Sequence, residues 1–144
     1  MADNEYDKRD IQIRTDKGLY LHGQIQYCDF IRDDEDWCHV CLYINERLYE
    51  STEKHFFTAL LRIREQLEKE KFQILCNGAA RNVYPSAMMF DMGSAGIGYK
   101  MTMNKPTTMS DVVDIFEYDE SLEFVTVSEQ EQFLVDWQNC EKRR

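Results

Sequence analysis

The hydrophobic period changes partway along the chain, and that change constrains the fold more than any other feature. Ile11 and Ile13 alternate with Gln12 and Arg14. Leu19, Leu21, Ile25 and Tyr27 share one parity, with His22, Gln24 and Gln26 on the other. From Trp37 to Ile44 the pattern continues, with Val40, Leu42 and Ile44 on one face. A period of two marks strands buried on one side. Asp16-Lys17-Gly18 suits a hairpin turn in which Gly18 takes a positive φ. Asn45-Glu46 suits a tight turn into Arg47–Glu50, so four antiparallel strands form a meander. The period then lengthens. Phe56, Leu60, Ile63 and Leu67 recur at four, three and four residues, with Phe57 and Leu61 widening the stripe. That spacing predicts a helix with one apolar face, capped by Ser51 or Thr52. Arg64 with Glu68, and Glu65 with Lys69, are spaced for exposed ion pairs on its outer face.

The second half continues as mixed structure. Phe72–Cys76 reads as a strand returning to the sheet, and Ile97–Met103, Val112–Tyr118 and Leu122–Val127 read as three more. Ser128-Glu129-Gln130-Glu131 is a capping box for a last helix, with Phe133, Trp137 and Cys140 as its inner stripe and Leu134 beside it. Lys142, Arg143 and Arg144 sit at the negative end of its dipole. The reading is therefore α+β, a largely antiparallel sheet with two main helices packed on one face, over residues 1–144 as a single globular domain. The chain has only two prolines and no Gly/Ser-rich linker that would divide it.

Charge narrows the class of partner. The formal net charge is -10 on 144 residues. Asp29, Asp33, Asp34, Glu35 and Asp36 crowd a connection between two strands, broken by Arg32 and closed by Trp37. Asp111, Asp114, Glu117, Asp119, Glu120 and Glu123 form a second acidic stretch with no Lys or Arg in it. Such a field steers association with basic partners and argues against nucleic-acid binding, which needs cations on phosphates. Trp37, with Phe30 or Tyr27, supplies a candidate anchor. The same carboxylates also serve solubility, and composition alone does not choose between the two roles. No apolar run is long enough to span a bilayer. Met1-Ala2-Asp3-Asn4-Glu5 lacks the pattern of a secretory signal, and five irregularly spaced cysteines suit free thiols in a reducing cytosol. Cytoplasmic residence is the expectation.

Catalytic signatures are weak. Cys38-His39-Val40-Cys41 looks like half of a zinc site, but Cys38 and Cys41 point to opposite faces of a strand, and His22 and His55 stand alone. No metal and no cofactor are expected. Gly93–Gly98 lacks the Lys-Ser/Thr of a phosphate loop and reads as a turn. Cys76 before Asn77-Gly78 has no histidine placed beside it. The methionines at 88, 89, 92, 101, 103 and 109 read as core filler. The loop 76–88 is the main place for a ligand: Asn77, Arg81, Asn82 and Tyr84, with Ser86, suit either a small polar ligand or the loop's own backbone.

Those same segments carry a resemblance. Ala59-Leu60-Leu61-Arg62-Ile63-Arg64, then Cys76-Asn77-Gly78-Ala79, Tyr84-Pro85-Ser86 with Met88, Asp111-Val112-Val113-Asp114-Ile115-Phe116, and Glu129-Gln130 with Trp137 run from the first helix to the last. From Phe57 onward the chain resembles a family of small bacterial cytosolic proteins similar to the immunity partners of polymorphic toxins. The resemblance implies a non-catalytic protein that neutralises a cognate toxin by contact. It does not include the N-terminal strands or the 29–36 acids, where a toxin-contacting surface is free to vary. A small enzyme using the 76–88 loop and a regulatory adaptor binding through a sheet edge are the alternatives.

Overall fold

A computed structural model describes residues 5–142. Strands β1 (Asp7–Thr15), β2 (Tyr20–Arg32), β3 (Glu35–Ile44) and β4 (Arg47–Glu53) form the meander, and helix α1 (Phe56–Glu68) returns the chain to β5 (Phe72–Leu75). These five strands make one antiparallel sheet in the order β4-β3-β2-β1-β5. A second sheet combines β6 (Val83–Tyr84), β7 (Ile97–Lys100) and β8 (Val112–Asp114), with the six-residue helix α2 (Ala87–Met92) between β6 and β7. Helix α3 (Val127–Lys142) closes the fold, which is α+β. Arg143 and Arg144, and the side chain of Lys142, lie outside the described residues, as do Met1–Asn4.

The inward parity of the meander is the one that the sequence marks. Ile11, Ile13, Ile25, Val40, Leu42 and Ile44 are buried against Phe57, Leu60, Ile63 and Leu67 of α1. Leu19 departs from the pattern and is exposed, because it belongs to the turn in which Gly18 takes φ +78°. Gly78 is small for a contact reason. A Cβ there would stand 2.6 Å from Leu60 Cδ2 and 3.0 Å from Ile115 Cβ.

Four local expectations are corrected. Strand β4 continues through Glu53, so neither Ser51 nor Thr52 caps α1. His55 stands at the cap position without a side-chain bond, and the amide of Phe56 donates to Ser94 O at 2.7 Å instead. The predicted strands over 112–118 and 122–127 shrink to β8. The rest is irregular backbone that bonds to the 76–81 segment: Asn77 N to Glu117 O at 2.7 Å, Gly78 N to Ile115 O at 2.8 Å and Arg81 N to Glu123 O at 2.8 Å. The capping box of α3 is Thr126 with Glu129, two residues before the predicted one. The Glu129 amide donates to Thr126 Oγ1 and the Thr126 amide to Glu129 Oε1, each at 3.2 Å. The methionines are mostly not core: Met101 is buried, but Met88, Met92 and Met109 are exposed.

Arg64 and Glu68 overturn the ion-pair reading of α1. Both turn toward α3. Arg64 is 2% exposed, and its guanidinium donates to Gln130 Oε1 at 2.6 Å, Val125 O at 2.9 Å and Gly78 O at 3.2 Å. Glu68 accepts from the Val127 amide at 3.0 Å. Gln130 in turn donates to the carbonyls of Gly78, Ala80 and Val83, each at 2.9 Å. Glu65 pairs with Arg62 at 2.9 Å rather than with Lys69. Burial lowers the pKa of Arg64, a cost offset by satisfying Val125 O and Gln130 Oε1, which would otherwise be buried without a donor.

Candidate functional site

The acid run is centred on a tight hairpin turn, with most of its residues inside β2 and β3. Arg32 pairs with Glu35, leaving Asp33 and Asp34 as a two-residue loop with φ +55° and +61°. Positive φ at both central residues is the geometry that matches the twist of a hairpin, and Asn-Gly is its usual sequence. Two aspartates adopt it here at a local cost, since a side chain with a Cβ crowds its carbonyl in this region.

The hairpin also outruns its neighbours. Strand β1 reaches β2 as far as Tyr27, paired with Asp7, and β4 reaches β3 as far as Cys38, paired with Glu53. Beyond those pairs the stretch 28–37 is a two-stranded ribbon with no flanking strand among the described residues. Asp29, Asp33, Asp34, Glu35 and Asp36 are all exposed on it. Glu35 pairs with Lys54 at 2.9 Å, whereas the four aspartates have no salt bridge among the described residues. Trp37 is half-buried opposite Phe30. The Lys54 ammonium lies 4.2 Å and the Arg32 guanidinium carbon 4.9 Å from its ring centroid, so the ring already attracts cations. On the inner side of the ribbon base, Asp29, Asp36 and Asp91 line a recess of about 420 Å³ with Lys54 and Cys38. Burial and the nearby Asp29 and Asp36 charges push the Cys38 thiol up to about 12. Tyr27, the other proposed anchor, is buried and stacks on Phe116, so it belongs to the core.

The second acidic stretch behaves differently. Asp114 and Glu117 pair with Arg9 at 2.8 and 3.4 Å, Glu123 pairs with Arg81 at 2.8 Å, and Asp111 accepts from the Thr108 amide at 2.8 Å. These carboxylates are largely engaged within the fold.

The 76–88 residues do not converge on one cavity. Asn77 is buried and donates to Asp114 O at 3.1 Å; Asn82 donates to Met101 O at 3.0 Å. Arg81 holds Glu123 and, at 3.4 Å, Glu129. Tyr84 alone of the four lines a recess of about 370 Å³, with Phe90, Tyr99 and Trp137. Cys76 is fully buried, and burial pushes its thiol up to about 12, opposite to what nucleophilic activation needs.

One cluster escaped the sequence reading. On the outer face of the sheet, His39 and Cys41 lie two apart on β3, and Glu50 of β4 stands directly opposite Cys41. His39 Nε2 is 3.2 Å from Glu50 Oε2 and 3.6 Å from Cys41 Sγ, which is 3.9 Å from Glu50 Oε2. Tyr6 Oη is 2.8 Å from His39 Nδ1. Burial, and next the Glu50 charge, push the Cys41 thiol up to about 11. Two residues of the Cys-His-Val-Cys stretch belong to this cluster, and Glu50 joins them from the adjacent strand. All five cysteines are unpaired: Cys28, Cys38, Cys41 and Cys76 are buried and Cys140 is half-buried.

Comparison of the sequence with known protein families and with curated proteins gives no match. Among the described residues, no helix is long and apolar enough to cross a membrane.

Proposed function

We propose that this chain is an immunity-type inhibitor, a cytoplasmic protein that binds a basic face of a cognate bacterial toxin and blocks it by contact, without chemistry of its own. The observation that carries the reading is the 28–37 ribbon beyond the flanking strands, where Asp29, Asp33, Asp34 and Asp36 are exposed and form no salt bridge among the described residues. The other acidic stretch is tied to Arg9 and Arg81, so the ribbon holds the acids best placed to act on a partner. Asp33 and Asp34 stand where Asn-Gly would be easier, and a local rule broken in an otherwise regular hairpin is a mark of function. Trp37, half-buried at the base of the ribbon with this chain's own Arg32 and Lys54 over its ring, is the aromatic residue placed to contact the partner. The metabolite-enzyme alternative draws no support from Asn77, Arg81 and Asn82, which bond to this chain's own carbonyls and carboxylates.

The test is co-expression with the toxin encoded beside the gene, followed by association kinetics of the purified pair across salt concentration. Neutralising Asp33, Asp34, Glu35 and Asp36 as Asn and Gln is expected to slow association about tenfold or more at low salt and flatten its salt dependence. Trp37→Ala is expected to speed dissociation. Growth protection that fails for the intact chain, or association untouched by all four neutralisations, overturns the ribbon as the binding surface.

A further inference from the structure

We propose that His39, Cys41 and Glu50 form a zinc site on the outer face of the β3–β4 hairpin. The claim is independent of the toxin-binding reading, because these residues lie beyond the ribbon, within the flanked part of the sheet.

The geometry comes first. Zinc donors at bond lengths of about 2.0–2.3 Å and tetrahedral angles stand about 3.3–3.6 Å apart. The three donor separations here are 3.2, 3.6 and 3.9 Å. All the donor atoms of the trio lie within 4.8 Å of one another. Small side-chain rotations close the remaining differences, while the backbone positions are fixed by the paired strands. Residues two apart on β3 share a face, and the direct Cys41–Glu50 pairing brings the third donor across.

The donor chemistry agrees. One imidazole, one thiolate and one carboxylate are each ordinary zinc ligands, and the mixture suits a borderline-soft ion better than calcium or magnesium. Thiolate and carboxylate together balance the two positive charges. Binding displaces one proton from the Cys41 thiol to solvent. His39 is also held from behind. With Nε2 toward the metal, Nδ1–H donates to Tyr6 Oη at 2.8 Å, which fixes ring orientation and tautomer. The Glu50 side chain is 54% exposed, so the ion has a route in and a fourth position for water.

The experiment uses the full untagged chain, reduced and stripped with chelator, titrated with Co²⁺ and then Zn²⁺. One equivalent of Co²⁺ is expected to give a near-ultraviolet thiolate charge-transfer band, displaced by one equivalent of Zn²⁺. Cys41→Ser is expected to remove the band. His39→Ala and Glu50→Gln should weaken Zn²⁺ binding about 100-fold, and Tyr6→Phe about tenfold. Cys140→Ser should leave the band unchanged. Circular dichroism establishes that each variant is folded. If Cys41→Ser fails to fold, the wild-type spectrum and the His39 and Glu50 titrations still decide. A wild-type chain with no thiolate band at equimolar Co²⁺ overturns the site, as does Zn²⁺ affinity unchanged in His39→Ala and Glu50→Gln.

Discussion

Arg64 is one half of a buried polar junction whose other half is Gln130. Its guanidinium satisfies Gly78 O, Val125 O and Gln130 Oε1 from one buried position, joining α1 to the 76–80 turn and to α3. Arg64→Met should therefore leave Val125 O and Gln130 Oε1 buried without a donor, with Gly78 O still held by Gln130, and lower stability by about 3 kcal/mol, read from the urea midpoint. Arg64→Lys should not rescue it, because an ammonium cannot reproduce the planar fork that spans the three acceptors. Three segments distant in sequence meet at this residue: Arg64, Gly78 and Gln130 are mutually bonded. Their chemistry here is that of assembly.

Two elements make opposite demands on their local sequence. The β2–β3 turn is disfavoured by its own residues, so Asp33→Asn with Asp34→Gly should stabilise the chain by about 1 kcal/mol while weakening partner association. A rise in melting temperature together with slower binding would show both sides of that trade. Helix α3 is favoured by its cap. Thr126→Ala should cost about 1 kcal/mol, whereas Ser128→Ala should change the melting temperature little. The capping-box pattern occurs twice within six residues, at 126–129 and 128–131. The choice falls on the earlier one because Glu68 of α1 binds the Val127 amide and draws the start of the helix to that point.

For the whole molecule, pH dependence has two arms. Glu123 beside Arg81, Glu129 at the Thr126 cap, and Glu70 beside Tyr49 and Arg47 have folded-state pKa values below the ordinary carboxylate value. Their contribution is present above about pH 4.5, the ordinary value for Glu, and is lost as pH falls and the unfolded chain takes up protons first. The thiols act in reverse. Cys38 and Cys76 are pushed up to about 12 and Cys41 to about 11 from an ordinary 9.0. Above pH 9 the unfolded chain releases protons that the folded chain keeps, so stability should decline as pH rises toward 11–12. Urea midpoints measured from pH 3 to 11 should show a maximum between these arms. Cys76→Ser should make the alkaline decline shallower.

The sequence by itself determined the meander, its two flanking turns at Gly18 and Asn45, the buried face of α1 and the α+β class. Each depends on contacts between residues two, three or four apart, and such contacts are written in the spacing of apolar side chains. It also located the acid run, since charge needs no fold to be counted. Only tertiary structure decided which carboxylates remain unpaired, because Arg9 and Arg81 reach the 111–123 acids from distant segments. The same holds for Arg64 and Glu68. At four residues apart they have the spacing of a surface ion pair, yet α3 lies against that turn and gives each a different partner. Glu50 joins His39 and Cys41 through strand register alone: a one-residue slip would turn the carboxylate to the opposite face and dissolve the cluster.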